Sequence, residues 1–149
     1  MATYQKYNNY VAQLLKAVHD AQAGGHVWRV YLSNIAPTAS DTIKATGSAT
    51  EFTPGGTGYA AGGEDVQNTL TDGTGTATVA GTKVVWTAAT TTWNPFRYVV
   101  LYNDTATVLT DPLIAWWDYG VGGVTLGVGE TFSVKFSASE GSGTIQAIT

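Results

Sequence analysis

The chain has 149 residues, a formal net charge of −4, only 12% charged side chains and no cysteine. This length fits one domain, spanning residues 1–149, with a hydrophobic core of its own. The lack of cysteine excludes disulfides, thiolate nucleophiles and cysteine-ligated zinc, and seven scattered Lys and Arg residues form no basic stripe for nucleic acid. No apolar run approaches the roughly 20 residues of a membrane helix, and the first residues lack a signal-peptide pattern. We therefore expect neither nucleic acid nor a membrane as a partner.

Residues 4–21 carry a helical pattern of apolar side chains. The spacing of i, i+3, i+4, i+7 and i+11 places five of them on one stripe: Tyr7, Tyr10, Val11, Leu14 and Val18. Thr3 is a candidate N-cap, and Gly24 with Gly25 is expected to end the helix. Such a stripe packs either on its own sheet or on a partner chain, and the glycine pair would let the helix reach a neighbour. These five residues are therefore candidate partner-docking residues.

The middle of the chain predicts short strands joined by irregular segments. Residues 26–33 read as a central strand that ends before Pro37, followed by a connection over 38–50 with one helical turn starting at Ser40. The glycine-rich residues 55–63 lack the Lys-Ser/Thr and the βαβ context of a phosphate loop, so we expect an irregular connection with Tyr59 turned inward. Strands are predicted at 66–72 and 76–80 around an Asp72-Gly73 turn, and at 82–89 with Val84 and Trp86 on one face.

Residues 93–136 are the most aromatic part of the chain and have the clearest strand alternation. In the predicted strand 96–103, Phe96, Tyr98, Val100 and Tyr102 share one face. Further strands are predicted at 113–120, within 123–130, at 131–137 and at 143–149, with 104–112 as a loop. The short strands and frequent turns predict a mainly β, antiparallel sandwich or jelly-roll-like domain over 26–149, preceded by one helix.

Candidate catalytic groups are few. Asp104, Asp111 and Asp118 lie near strand ends, but Asn103-Asp104 and Asp111-Pro112 are turn-forming pairs, so we interpret these carboxylates as turn residues rather than acid–base catalysts. His19 is placed late in the helix, where a cation suits the helix dipole, and His26 opens a strand. No metal-ligand spacing or nucleophile–base pair accompanies them. We therefore expect no enzyme activity, no cofactor and no metal.

Four aromatic residues are candidates for an oligomer or ligand contact: Trp93, Trp116, Trp117 and Tyr119. Exposed aromatics on a β-sandwich can stack on sugar rings, and aromatics are also enriched in protein interfaces. Adjacent residues of a strand point to opposite faces, so at least one of Trp116 and Trp117 must belong to the core or to an interface. Burial in the core is the strongest alternative for all of them.

The order of several blocks resembles a family of small virion proteins of tailed bacteriophages. The specific blocks are WNPFRYVVLYND at 93–104 and DPLIAWWDYG at 111–120. The stretches VYLSNIAPTASD at 30–41 and TLGVGETFSVKF at 125–136 also carry the resemblance. With the N-terminal stretch MATYQKYNNYVAQLLKAVHD and the glycine stretch 55–63, the resemblance spans nearly the whole chain.

This resemblance implies a non-enzymatic capsid decoration, or cement, protein. Such proteins are small, rich in β-structure, often trimeric, and clamp the outside of the assembled head. The expected partner is the major capsid protein lattice, and the expected location is the outer surface of a virion assembled in the bacterial cytoplasm. The alternatives are a tail, neck or fibre-associated protein and a module that binds host glycans.

Overall fold

Antiparallel strands are the main regular structure of the protein. The computed structural model describes residues 2–136 and 143–148. Its elements are β1 Thr3–Lys6, α1 Tyr10–Leu15, β2 Trp28–Ser33, β3 Glu64–Asp65, β4 Thr69–Gly73, β5 Thr76–Gly81, β6 Val84–Thr87, β7 Trp93–Phe96, β8 Tyr98–Asn103, β9 Leu113–Asp118, β10 Val124–Leu126, β11 Thr131–Val134 and β12 Gly143–Ile148. A 3₁₀ turn, Lys44–Thr46, supplies the helical turn expected in the connection after β2.

The central sheet has five strands in the order β1-β9-β8-β2-β3, and every neighbouring pair is antiparallel. Smaller antiparallel sheets pair β10 with β7, β11 with β6, and β12 with β5 and β4. The mainly β class and the antiparallel pairing are thereby confirmed. Ser137 and Thr149, the predicted ends of the last two strands, lie outside the described residues.

Both faces of the central sheet are covered, because β2, β8 and β9 carry apolar side chains on both sides. One face joins the small sheets in a main core that includes Trp28, Leu32, Val99, Leu101, Ile114, Trp86, Trp93, Phe96 and Phe132. The opposite face carries a tyrosine cluster: Tyr7, Tyr31, Tyr98, Tyr102, Val100, Leu113, Trp116 and Ala49.

The alternation predicted for strand 96–103 is confirmed for β8, with one correction. Val99 and Leu101 face the main core, and Tyr98, Val100 and Tyr102 face the tyrosine cluster. Phe96 does not share the latter face. It ends the separate strand β7 and lies in the main core, because the run breaks at Arg97 between the two strands.

The predicted helix over 4–21 is wrong in its extent. Residues Thr3–Lys6 are a strand that pairs with β9, and α1 has only six residues. The helix ends long before Gly24. The Ala17 N–H donates to the Leu14 carbonyl and the Val18 N–H to the Gln13 carbonyl, with Ala17 at φ 55°, which is the Schellman arrangement without a glycine. This early end turns Val18 and His19 into the protein, where both are buried.

We expect Ala17→Gly to raise the free energy of unfolding by about 1 kcal/mol. Ala17 is exposed and adopts a left-handed conformation, which costs an L-residue about 1–2 kcal/mol and costs glycine little. The matched control is Ala12→Gly, which is also exposed but lies inside α1, where glycine costs about 1 kcal/mol. Urea unfolding should therefore move the two midpoints in opposite directions, and equal midpoints would contradict the assignment of the helix end.

The docking stripe divides between buried and exposed positions. Tyr7, Tyr10 and Val18 are at most 4% exposed and Leu14 packs partly on the main core, so these four cover the protein's own sheets. Val11 is 46% exposed. Most of the stripe therefore packs on its own chain. The docking role stays a hypothesis for the outward face of α1.

One further detail of the sequence prediction changes. The turn between β4 and β5 lies at Thr74-Gly75, not at Asp72-Gly73, which is paired in β4. Val84 and Trp86 are buried on one face of β6 while Val85 is exposed, as expected.

No helix among the described residues is long and apolar enough to cross a membrane.

Candidate functional site

The four candidate aromatic residues do not gather on one surface. Trp93 is fully buried in the main core, with its ring 5.9 Å from that of Phe52. Trp116 lies on the other side of the central sheet, 8% exposed and 4.5 Å from the Tyr7 ring. Trp116 and Trp117 do point to opposite faces, as the strand geometry predicts. A platform built from the three tryptophans is therefore absent.

Trp117 and Tyr119 line the same open cleft of about 350 Å³, together with Ala2, Lys135 and Phe136. The Trp117 ring is half-buried, because Tyr4 lies edge-on at 5.6 Å and Phe136 is tilted at 5.8 Å. One partly covered indole offers less stacking area than the parallel aromatic faces that sugar rings need. Phe136 is also the last residue described before the gap at 137–142.

The carboxylate at the end of β9 holds a turn in place. Asp118 accepts two hydrogen bonds from the Arg97 guanidinium, both at 2.7 Å, and one from the Gly120 N–H at 2.8 Å. The bonds from Arg97 lower the pKa of the Asp118 carboxyl below its ordinary value. Asp118 is therefore a fixed anion that joins the start of β8 to the turn after β9.

The other two aspartates have similar structural roles. Asp104 accepts a hydrogen bond from the Tyr102 hydroxyl at 3.1 Å and faces Arg29 at 3.6 Å. Asp111 adopts φ 46° at the turn before Pro112, and its carbonyl accepts the Lys44 N–H. Burial, with the charge of Asp104, raises the pKa of the Asp111 carboxyl. These contacts agree with the interpretation of the three aspartates as turn residues.

A polar cluster that the sequence did not predict fixes the glycine-rich loop 55–63. Glu51 accepts hydrogen bonds from the Tyr59 hydroxyl at 2.9 Å and the Gly62 N–H at 2.6 Å, and it pairs with Lys44 at 2.8 Å. The Lys44 ammonium also lies 4.5 Å from the centre of the Tyr102 ring. The Glu51 carboxylate and the Lys44 ammonium neutralise each other's charge. Together they hold the glycine-rich loop over the tyrosine cluster.

The two histidines converge on one buried amide. Asn103 Nδ2 donates to His19 Nδ1 at 3.2 Å and to His26 Nδ1 at 3.0 Å, while His19 Nε2 lies 2.9 Å from Gln13 Oε1. His26 Nδ1 also accepts the Asp20 N–H. An Nδ1 that accepts a hydrogen bond carries no proton, so the His19 ring is neutral in this arrangement.

The sequence prediction that His19 is a cation at the end of the helix is therefore wrong. It lies beyond α1, is 9% exposed, and packs against the rings of Tyr10 and Trp28. Burial, with a smaller contribution from His26, lowers the pKa of His19 to about 4. Among residues 2–136 and 143–148, no three His, Asp or Glu side chains are arranged to hold a metal.

Large apolar side chains are exposed at both ends of the central sheet. Near the end at Trp28 and Asn103, the 104–112 loop exposes Val108 (69%) at a groove of about 340 Å³, and α1 exposes Leu15 (87%). Near the opposite end, Val121 is 95% exposed in a tight turn where Gly123 N–H donates to the Gly120 carbonyl. Contiguous exposed apolar side chains are typical of surfaces that contact other proteins, whereas single ones are normal on any protein surface.

Comparison with known proteins adds no relative. No family model, no curated protein and no solved structure matches the chain.

Proposed function

We propose that the protein is a non-enzymatic structural protein of a tailed-bacteriophage particle that decorates the outside of the assembled head. The observation that carries the proposal is the surface: large apolar side chains exposed at both ends of the central sheet, on a chain with only 12% charged residues. The sequence resemblance supplies the kind of particle. Its two most specific blocks form β8 and β9, the strands next to each other in the central sheet.

The carboxylates that are paired with cations support a structural role. Asp118, Asp104 and Glu51 are each paired with a cation and hold a turn or a loop. An acid–base catalyst instead needs a group that is free to exchange a proton with a substrate. We further infer that the central sheet and the small sheets over its main core form the two layers of a jelly-roll-like sandwich.

The proposed mechanism is binding to several capsid subunits at once. A protein that binds only the assembled shell stabilises it by mass action, since dissociating the shell then also requires releasing the bound protein. A trimer would join three weak contacts and raise the overall affinity without stronger single contacts. The partner in this proposal is the major capsid protein lattice.

A second candidate is binding of a host glycan at the cleft formed by Trp117 and Tyr119. This candidate rests on the cleft of about 350 Å³ and its one half-buried indole. Titration with host polysaccharide should then quench tryptophan fluorescence in the native protein and not in Trp117→Ala.

The decoration hypothesis predicts hundreds of copies of the protein in each particle. Quantitative mass spectrometry of purified particles measures the copy number against the major capsid protein. Particles lacking the protein should also release their DNA at a lower temperature. A handful of copies per particle would overturn decoration and favour a tail or neck location.

The same particles can show which end of the protein faces the shell. Leu15→Glu and Val121→Glu each place a charge on an exposed apolar position, 87% and 95% exposed, at opposite ends of the central sheet. If α1 docks, as the sequence suggests, Leu15→Glu should lower the occupancy of stripped particles and Val121→Glu should not. Equal occupancy for wild type and both variants would remove these apolar positions from the interface.

A further inference from the structure

The peptide bond between Asp111 and Pro112 is held in a strained turn just before β9. Asp111 has φ 46°, a left-handed conformation that is uncommon for a residue with a side chain, and a following proline pushes the preceding residue towards extended conformations instead. The neighbouring backbone fixes the turn, because the Pro112 carbonyl accepts the Asn103 N–H and the Leu113 N–H donates to the Thr42 carbonyl, both at 3.0 Å. Backbone strain that the surrounding structure maintains is concentrated at functional sites, and breaking this bond would release it.

The carbonyl of this bond and the carboxyl group beside it are suited to reaction. The Lys44 N–H donates to the Asp111 carbonyl oxygen at 2.9 Å, where it would stabilise the negative charge that develops on that oxygen under attack. The carboxylates of Asp104 and Asp118 face arginines. In the part of the chain that the structure describes, no hydrogen bond or ion pair holds the Asp111 carboxylate, so it can turn towards its own carbonyl.

We propose that the protein cleaves its own chain between Asp111 and Pro112 in mild acid. A carboxyl oxygen of Asp111 attacks the carbonyl carbon of the same residue and forms a succinic anhydride ring. The C–N bond breaks, its electron pair stays on the proline nitrogen, and that nitrogen takes up a proton. Water then opens the anhydride, which leaves a new C-terminal carboxyl at Asp111 and a new N-terminal amine at Pro112. The attacking and attacked groups belong to one residue, so the reaction needs no bimolecular encounter until water enters.

The reaction should depend on pH through the Asp111 carboxyl group. The reactive state carries one proton between the carboxyl group and the leaving nitrogen, so the rate should rise as the pH falls towards the pKa of that carboxyl and then level off. Burial and the charge of Asp104 raise this pKa, and the positive charge of Lys44 opposes them. Tyr102, whose hydroxyl donates to Asp104, is the other titratable neighbour. The folded protein should therefore react in milder acid than the unfolded chain.

Cleavage would leave the fold assembled. Each strand of the fragment 112–149 pairs with a strand of the fragment 1–111: β9 with β1 and β8, β10 with β7, β11 with β6, and β12 with β5. The two fragments should therefore stay together until they are unfolded. Residues 104–111, which expose Val108, would become the free end of the first fragment. This inference is independent of the proposed function, because it requires no particle.

The test is to incubate the purified protein at pH 5 and at pH 8 and to follow its mass under denaturing conditions. At pH 5 the chain should convert to fragments 1–111 and 112–149, whose masses add up to the intact chain plus one water, while gel filtration still shows one folded species. Protein unfolded in guanidinium at pH 5 should be cleaved at least about tenfold more slowly, since it lacks the strained turn and the Lys44 donor. The Asn94-Pro95 bond in β7 is the internal control and should stay intact.

Three variants separate the contributions. Asp111→Gly adopts the same φ without strain and lacks the carboxyl group, so it should fold and not be cleaved. Pro112→Ala keeps the carboxyl group but removes the crowding by the proline ring, and it should be cleaved at least about tenfold more slowly. Asp104→Asn removes the neighbouring charge, so it should lower the pH at which the rate is half-maximal without abolishing cleavage.

The proposal is overturned if the chain stays intact during prolonged incubation at pH 5, if the folded and unfolded proteins are cleaved at equal rates, or if Asp111→Gly is cleaved as fast as the wild type.

Discussion

Gly63→Ala is expected to remove most of the free energy of unfolding. Gly63 adopts φ 72°, and a Cβ at this position would lie 1.9 Å from the Val30 carbonyl oxygen and 2.9 Å from the Tyr31 Cα. Both contacts are with the backbone of β2, which is hydrogen-bonded on both sides in the central sheet. Neither the loop nor the strand can move without breaking these ladders, so the glycine-rich loop would have to leave its site.

Gly75→Ala separates this collision from simple backbone strain. Gly75 has nearly the same conformation, φ 76°, but a Cβ there meets no atom within 4 Å. It should therefore cost only the left-handed penalty of about 1–2 kcal/mol. Urea unfolding of both variants measures the difference, with soluble yield as the readout if Gly63→Ala does not fold. Similar midpoints for the two variants would show that the loop does not pack on β2 in this way.

Strands β8 and β11 of the aromatic segment could be predicted because each has a regular alternation of side chains. In β8, Tyr98, Val100 and Tyr102 enter the tyrosine cluster, whereas Val99 and Leu101 enter the main core on the other side of the sheet. The N-terminal segment could not be predicted in the same way. The side chains of Tyr7 and Tyr10 fit a helical stripe, yet Tyr7 lies on one side of the central sheet and Tyr10 on the other. Tertiary packing of two buried tyrosines thus overrides the local helical preference.

The polar clusters could be predicted only in part, because their members are distant in sequence. Asp104, Asp111 and Asp118 were recognisable as turn residues from their neighbours. Glu51 has no local pattern that marks it as the residue that closes the glycine loop, and Asn103 lies 84 positions from His19, which it contacts. Strand pairing between β2 and β8 brings Asn103 opposite Trp28, and that pairing is what assembles the histidine cluster.

His19 makes the stability of the protein depend on pH in the mildly acidic range. Its pKa is about 4 in the folded protein and 6.5 in the reference state. Between these values the unfolded chain binds more protons than the folded one, so the free energy of unfolding falls as pH decreases. The contribution is complete above about pH 6.5 and is lost progressively as the pH approaches 4. The buried ring cannot take a proton while Nδ1 accepts from Asn103 and Nε2 bonds to Gln13.

We expect the wild-type protein to lose roughly 2 to 3 kcal/mol from this residue between pH 7 and pH 4.5, by the linkage of its two pKa values. Urea unfolding at a series of pH values measures the slope. His19→Gln should remove most of it, since glutamine keeps a polar side chain but does not titrate. His26→Gln removes the other histidine and leaves His19 in its buried site, so it should retain most of the slope. A His19→Gln variant with the wild-type pH dependence would place the titrating group elsewhere and would contradict the buried, neutral state of His19.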